Sequence, residues 1–418
     1  MKKTKAFILI AVSAVLLVGC SRNGDAIQNG KLPAGGEKTD LATSEGQEVM
    51  KNRLEAVSKA YEELNLDSVA ITSEVSGFNV AFNANLEQEK GVKFSLEAGI
   101  KDFGAKAEMK AAKDGKNVKA SFSNKTTGGN FSLKGSLPEK EGGKNANVDA
   151  SLSLSGIEVN AYLSENKAYI DMSNKGIETF VKNTETFVNK AMGQIKETAL
   201  AGNITYLIQS YGLDEIYDFE KGRFDLVSAY NKNLPDKKIA IKGKEPVEWP
   251  TISADEVAEE TSISLDDIGT YVKSLAEMDI DLEFITYKND SFGFSVSLDK
   301  ESMKALAKAA DNEEYETWYS VLPNIFTNLT CNVSALFNKD NLLESIGFAY
   351  ECDAKIDNSL MKSMGYSESM FKSLDVNYSL KAKESISIKY GNIDVQLPDF
   401  SDYKEVEIDY DELKERSN

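Results

Sequence analysis

The feature that most constrains this chain is a strict alternation of apolar and polar residues that runs from Phe78 to Ala161. Alternation with a period of two is typical of β-strands that have one dry and one wet face. Gly- and Asn-rich segments at 113–116, 128–129 and 141–144 interrupt the alternation and favour turns. The pattern therefore predicts an antiparallel meander. The apolar rows are Phe78, Val80, Phe82, Ala84 and Leu86; Val92, Phe94, Leu96 and Ala98; Ala105, Ala107 and Met109; Val118, Ala120 and Phe122; Phe131 and Leu133; Val148, Ala150, Leu152 and Leu154; and Ile157, Val159 and Ala161.

Helical periodicity appears on both sides of the meander. Apolar residues spaced three and four apart predict a helix over 45–64, another over 180–195, and a third over about 200–211 with Gly212 as its C-cap. The fold class is therefore predicted to be α+β. Further helices are predicted over 265–278, 302–310 and 359–374, and further strands over 281–287, 291–298, 329–337, 345–354 and 376–390.

Two arrangements of these elements fit the pattern. A boundary near 243–252, a segment that contains Pro246, Trp249 and Pro250, would divide the chain into two α+β domains. Alternatively, the strands form one large curved antiparallel sheet, a half-barrel, with the helices packed on its concave face. We favour the half-barrel, because so few helices can cover the apolar face of so many strands only if the sheet curls around them.

The N-terminus has the pattern of an export signal. Lys2, Lys3 and Lys5 precede thirteen uncharged residues, 6–18, a run that is too short to span a bilayer but is typical of a signal-peptide core. The run ends in Leu17-Val18-Gly19-Cys20-Ser21, which resembles the lipobox of bacterial lipoproteins. The resemblance implies that residues 1–19 are removed and that Cys20 carries a diacylglyceryl group. Two acyl chains hold a protein stably on a membrane, so we expect a protein anchored to the extracytoplasmic face of the cell membrane.

The rest of the chain divides by composition. Residues 20–44 lack hydrophobic periodicity and are rich in Gly, Asn, Ser and Lys, which is typical of a flexible tether. We expect the folded domain to cover residues 45–400. The acidic run that follows predicts a frayed tail over 401–418.

Composition also excludes several classes of function. The chain contains no histidine, which removes Ser-His-Asp and Cys-His catalysis as well as metals or haem held by histidine. Its formal charge is −19 with only four arginines, so no nucleic-acid partner is expected. No metal site and no cofactor are predicted.

Two sets of residues are candidates for catalytic groups. Ser359 with Lys362 and Ser369 with Lys372 match Ser-x-x-Lys, in which a lysine one helical turn along deprotonates a serine. The companion motifs of that enzyme class are missing, and both pairs fit one amphipathic helix. Carboxylate pairs such as those at 279 and 281 are expected by chance among 67 acids. The chain is therefore predicted not to be an enzyme.

Cys331 and Cys352 are candidates for a cross-strand disulfide. Setting Phe337 opposite Ile346 aligns the two cysteines and keeps the apolar residues of both strands on one face. The export route permits disulfides, and the lipid consumes the remaining cysteine, Cys20. A register that differs by two residues would instead leave two reduced thiols.

The order of elements resembles the LolA/LppX type of lipoprotein-carrier fold. The resemblance rests on the lipobox, the meander, the segments 159–163 and 167–170, the stretch 292–298, and the last strand 386–390 that leads to residues 395–398. It covers about residues 47–400 and is one of pattern and order. The resemblance implies a half-barrel that encloses an apolar cavity for acyl chains.

Large apolar residues on the inner elements either fill a core or line such a cavity. If they line a cavity, ligand contact falls on residues such as Phe180, Phe187, Phe294 and Phe348. We therefore expect a membrane-anchored lipoprotein that binds a lipid or another hydrophobic ligand without catalysis. A surface interaction protein with a filled core is the second hypothesis, and an envelope hydrolase is the third.

Overall fold

The structure is a computed structural model that describes residues 27, 30–87, 93–138, 145–198, 206, 208–213, 216–243, 247–248, 274–275, 280–302, 305, 325–363, 365 and 372–406. The predicted signal peptide and Cys20 lie outside these residues, as do most of the predicted helices 265–278 and 302–310. None of the described helices is both long and apolar enough to cross a membrane.

Four helices and sixteen strands have their bounds within the described residues. The helices are α1 (Ser44–Glu62), α2 (Lys175–Ile195), α3 (Leu226–Asn233) and α4 (Asn358–Ser363). The strands are β1 (Glu37–Thr39), β2 (Ser68–Glu87), β3 (Lys93–Asp114), β4 (Asn117–Leu137), β5 (Ala146–Ser153), β6 (Glu158–Ser164), β7 (Lys167–Asp171), β8 (Tyr217–Asp218), β9 (Arg223–Phe224), β10 (Lys238–Lys242), β11 (Asp281–Thr286), β12 (Phe292–Asp299), β13 (Phe326–Phe337), β14 (Leu343–Asp357), β15 (Ser373–Tyr390) and β16 (Lys404–Val406).

Fourteen of the described strands form one open sheet. Their order is β1-β11-β12-β13-β14-β15-β2-β3-β4-β6-β7-β10-β16, and β5 pairs with the second half of β4. Neighbouring strands are antiparallel except β10 and β16, which run parallel. Strands from both sides of segment 243–252 belong to this sheet. The prediction of one large, mainly antiparallel sheet is therefore confirmed.

Strands β3 and β4 are longer than the alternation predicts, because each joins two predicted rows. Gly128 and Gly129, predicted as a turn, lie inside β4, where the register with β3 shifts between Lys101 and Gly104. Gly129 has φ of 128°, and a Cβ on it would lie 3.0 Å from the Phe103 ring. The prediction of a turn is wrong because the glycines form an irregularity within a continuous strand pair. This irregularity keeps the apolar residues of β4 before and after the glycines on one face of the sheet.

The sheet face that carries these apolar rows is the inner face. On β15 the inner face consists of the even-numbered residues. Their partners on β14 are the even-numbered residues from Ile346 onward, and their partners on β2 are the residues of its apolar row. The opposite face, the outer face, is formed mainly by Ser, Asn, Lys and Glu.

Helices α1 and α2 pack on the inner face. Thr43 caps α1 by accepting a hydrogen bond from the Gly46 N–H at 3.1 Å, and Met50 of α1 packs with Phe284 and Phe292 of the sheet. At the end of α1, the hydroxyl groups of Tyr61 and Tyr390 are hydrogen-bonded at 3.0 Å. The helices predicted over 45–64 and 180–195 are thus confirmed as α1 and α2.

The N-terminal segment packs on the outer face. Ser334 donates a hydrogen bond to the Gly30 carbonyl at 2.7 Å, and β1 pairs with β11. A Cβ on Gly347 would overlap Ile27, and one on Gly293 would overlap Leu32. The predicted tether over 20–44 is therefore docked from residue 30 onward, because two strand glycines leave room for its apolar side chains.

The C-terminal segment also crosses the sheet. Val395 is buried, the Phe400 ring stacks on Tyr169 with centroids 3.6 Å apart, and β16 pairs with β10. Folded structure thus extends to Val406, past the predicted boundary at residue 400. Residues 407–418 of the predicted acidic tail lie outside the described part of the chain.

Candidate binding face

The middle of the inner face is a continuous apolar surface on β14, β15, β2 and β3. Two cross-strand rows show its composition, since partners on successive strands are apolar or aromatic throughout. Most of these side chains are half-buried, and Tyr378 is 36% exposed. The first row contains Cys352, Leu380, Val80 and Ile100, and the second contains Ala354, Tyr378, Phe82 and Ala98.

Phe294, one of the predicted ligand contacts, lies in an aromatic cluster beneath α1. Its ring centroid is 4.9 Å from that of Phe284 and 5.9 Å from that of Phe292, and both partners are completely buried. The stacked ring of Phe337 completes the cluster. Phe294 therefore contributes to a filled core at this end of the sheet.

The other predicted contacts lie elsewhere. Phe180 and Phe187 are on α2, and the Phe187 ring packs edge-on against Phe131 of β4 at 5.3 Å. Phe348 is on β14 and only 4% exposed. Since β12 and β4 are six strand positions apart in the sheet, the structure does not bring the four phenylalanines together in one site.

The two cysteines are on the inner face, but the predicted register between their strands is wrong. Cys331 pairs with Tyr350 and Cys352 pairs with Leu329, two residues away from the predicted alignment. The turn between the strands is tighter than the predicted alignment requires, because Phe337 pairs with Leu343 and not with Ile346. Diagonal partners of this kind have Cα atoms about 7–8 Å apart, beyond the usual span of a disulfide. Both cysteines are accordingly free thiols in the structure.

Glu384 is the inner-face residue that the sequence analysis missed. It follows Ala382 and precedes Ile386 on β15, and both of those residues are buried. Its cross-strand partners are Phe348 on β14 and Val75 on β2, so apolar side chains surround it on three strands. The signal was present in the sequence, because a glutamate occupies one position of an otherwise apolar alternating row.

The carboxylate of Glu384 is half-buried and lacks a partner among the residues that the structure describes. Burial raises its pKa above the ordinary value. The described titratable group that responds to its charge is Tyr350 of β14. Burial raises the pKa of Tyr350, and the negative charge of Glu384 raises it further.

These groups do not form a nucleophilic centre. Burial raises the pKa of both Cys331 and Cys352, so their reactive thiolate forms are disfavoured. Ser359 and Lys362 lie on the six-residue helix α4, and Ser369 lies outside the described residues. No group of three metal-ligating side chains occurs within the described ranges. What the inner face offers is apolar area with one carboxylate in its middle.

Comparisons with known proteins do not identify a family. No family model and no curated protein matches the chain. A crystal structure of a beta-barrel-like protein of domain of unknown function DUF1849 from Brucella abortus is 8% identical, with a TM-score of 0.12, over 76% of this chain and 99% of that one. The outer membrane protein OprG from Pseudomonas aeruginosa is 5% identical, with a TM-score of 0.06, over 78% of this chain and 98% of that one. Scores this low do not show a shared fold.

Proposed function

We propose that this chain is a lipid-anchored extracytoplasmic lipoprotein that binds a hydrophobic or amphipathic ligand on its inner face, without catalysis. The observation that carries the proposal is the apolar surface that continues across β14, β15, β2 and β3 with half-buried side chains. In this proposal the sheet is a half-barrel of the LolA/LppX type, with α1 and α2 on its concave face. The lipobox at Cys20 supports the location.

The driving force is burial of apolar surface. Each methylene group of an acyl chain that leaves water contributes about 0.8 kcal/mol. Ten such groups give roughly 8 kcal/mol before the cost of immobilising the ligand, which is enough for useful affinity. An extended sheet face suits a linear chain, because neighbouring strands present parallel rows of apolar side chains.

The aromatic cluster beneath α1 favours a second function. Phe284 and Phe292 are fully buried there, and this end of the inner face is a filled core. If the whole face were filled in the same way, the protein would act as a surface interaction lipoprotein whose outer face meets a partner.

Fractionation of Cys20→Ala tests the membrane anchor. The variant should be unprocessed or released from the membrane fraction, because the thiol that accepts the diacylglyceryl group is lost. Ser21→Ala is the matched control and should remain anchored. A Cys20→Ala protein that is processed and membrane-bound like the parent would contradict the lipobox assignment.

Two adjacent substitutions on β2 test the binding face. Phe82 lies on the inner face and Asn83 on the outer face, so Phe82→Glu and Asn83→Glu place the same charge on opposite sides of the sheet. The mature chain from residue 20, with Cys20→Ser to remove the anchor, is titrated with a fluorescent fatty acid. Phe82→Glu should weaken saturable binding, whereas Asn83→Glu should not.

Circular dichroism establishes that each variant is folded. If Phe82→Glu does not fold, Phe82→Ser removes the apolar ring without introducing a charge and serves in its place. Absence of saturable binding in the folded parent would favour the interaction protein over the ligand carrier.

A further inference from the structure

We propose that Glu384 recognises a cationic headgroup, so that the ligand of the inner face is an amphiphile with an amine at one end of its apolar chain. This inference rests on the proposed function, because it names the chemistry of the ligand at the same face. It follows from the position of one carboxylate within an apolar surface.

Glu384 is a charged residue on a face whose other residues are uncharged on three strands. On β15, on β2, and on β14 from Ile346, every other residue of the inner face is uncharged. The lysines of β15, Lys381, Lys383 and Lys389, occupy odd positions and so belong to the outer face. Lys381 is paired there with Glu351 at 2.9 Å. The sheet thus supplies no cation to this carboxylate from its own or its neighbouring strands.

A carboxylate in apolar surroundings is costly unless something compensates its charge. The described residues provide neither an ion pair nor a hydrogen bond to Glu384. A ligand that brings a positive charge would provide both. Because Val75, opposite Glu384 on β2, and Tyr350 on β14 are half-buried, the same ligand would bury its hydrocarbon part against them beside that charge.

The aromatic neighbours fit the same ligand class. Phe348 is directly opposite Glu384, and Tyr350 is the next inner-face residue on β14, close enough for its pKa to respond to the Glu384 charge. Aromatic faces attract ammonium groups, and the attraction strengthens when water is excluded. Since Phe348 is only 4% exposed, the ring open to a ligand is that of Tyr350. One carboxylate beside this ring favours an amine over an anionic headgroup such as that of a fatty acid.

Three ligands with the same chain length test this inference. Dodecylamine, dodecanol and dodecanoate are titrated by calorimetry, below the concentrations at which they form micelles, into the mature chain with Cys20→Ser. A charge-assisted contact should make the affinity for dodecylamine at least about tenfold higher than for dodecanol, and dodecanoate should bind most weakly.

Glu384→Gln keeps the shape of the side chain and removes its charge, so the preference for dodecylamine over dodecanol should disappear. Glu74→Gln is the matched control, because Glu74 is on the adjacent strand β2 but on the outer face. It should keep the full preference. Circular dichroism must show that Glu384→Gln has the native fold before its binding of the three ligands is compared with that of the parent.

The outcomes separate the two proposals. If the parent binds the three ligands with equal affinity, or if Glu384→Gln keeps the preference, the headgroup assignment is overturned and the hydrophobic binding face stands. If the folded parent binds none of them, the binding face itself is overturned, and the headgroup assignment falls with it.

Discussion

At the scale of single residues, Glu384 lowers the stability of the folded chain, because it places a charged group on an apolar face. Ala382 and Ile386, its neighbours on the same side of β15, are 2% and 6% exposed, and an aliphatic residue between them would continue the apolar row. Ionisation in such surroundings disfavours the folded state, whereas the same group in the unfolded chain is hydrated. The carboxylate therefore makes the stability of the protein depend on pH.

The sign of that dependence follows from the raised pKa. The unfolded chain has a glutamate pKa near 4.3, and the folded chain binds the proton more tightly. The contribution of Glu384 to stability therefore falls as pH rises from the unfolded pKa through the folded pKa, and is constant above it. The residues opposite Glu384, Phe348 and Val75, do not titrate, and burial raises the pKa of the neighbouring Tyr350, so that it titrates at higher pH.

Urea midpoints at several pH values between 4 and 8 measure this effect. The difference in stability between Glu384→Gln and the parent should grow in favour of the variant as pH rises, because only the parent ionises at this position. Other carboxylates act equally in both proteins and cancel in the difference. Parallel pH profiles for the two proteins would show that Glu384 is not penalised by burial.

The cysteines give a second prediction at this scale. The register places Cys331 opposite Tyr350, so the chain from residue 21 onward should contain two free thiols. A thiol reagent should count two groups in denatured, unreduced protein, and the same number after reduction. In the native protein both should react slowly, since burial raises their pKa and lowers the thiolate fraction. A count of zero in the unreduced protein would show a disulfide and a different register.

At the scale of elements, glycines in two strands determine where the N-terminal segment docks. Gly293 of β12 and Gly347 of β14 lie on the outer face, where missing side chains make room for Leu32 and Ile27. Gly30 itself has φ of 67°, a left-handed conformation that glycine adopts without strain. The segment and the strands are therefore complementary in shape.

Gly347→Ala tests this complementarity. The added methyl group would overlap Ile27, so the segment must shift, and we expect a loss of about 1–3 kcal/mol. Gly193→Ala is the control, because a Cβ there meets open space on α2 and alanine favours the helix by up to about 1 kcal/mol. Chemical denaturation measures both changes, and limited proteolysis before residue 37 should accelerate only in Gly347→Ala. Equal stability of the two variants would mean that the segment is not docked.

At the scale of the whole molecule, the sequence pattern predicts which face of the sheet a side chain occupies, but it does not predict which residues pair across neighbouring strands. Alternation predicts the apolar rows of β2, β3 and β4 and strands at the positions of β14 and β15, and helical periodicity predicts α1 and α2. A shift by two residues leaves every side chain on its original face, so alternation could not determine which residue pairs with Cys331. The tight turn after Phe337 and the glycines inside β4 determine the pairing, and neither alters which face a side chain occupies.

The termini were mispredicted for a different physical reason. Residues 30–43 and 401–406 lack a regular apolar period, because they dock through a few isolated contacts such as Leu41 and Tyr403. Such contacts depend on partners that are distant in the sequence, and local patterns do not show them. The prediction of Phe180, Phe187, Phe294 and Phe348 as ligand contacts rests on residue type, which does not distinguish a core position such as Phe294 from a half-buried one such as Phe82.

The size of the folded unit follows from these contacts and gives the last prediction. The sequence boundaries 45–400 omit Ile27 and Leu41, which are buried, and also β1 and β16, which pair with β11 and β10. Burying an aliphatic side chain contributes about 1.5–3 kcal/mol, so removing both terminal segments should destabilise the protein by several kcal/mol. A chain limited to 45–400 should therefore unfold at a lower temperature than a chain limited to 24–406, by on the order of 10 °C. The chain 24–406 should match the mature chain with Cys20→Ser in thermal unfolding, because it retains every residue described here. Equal unfolding temperatures for 45–400 and 24–406 would show that the two segments do not belong to the cooperative fold.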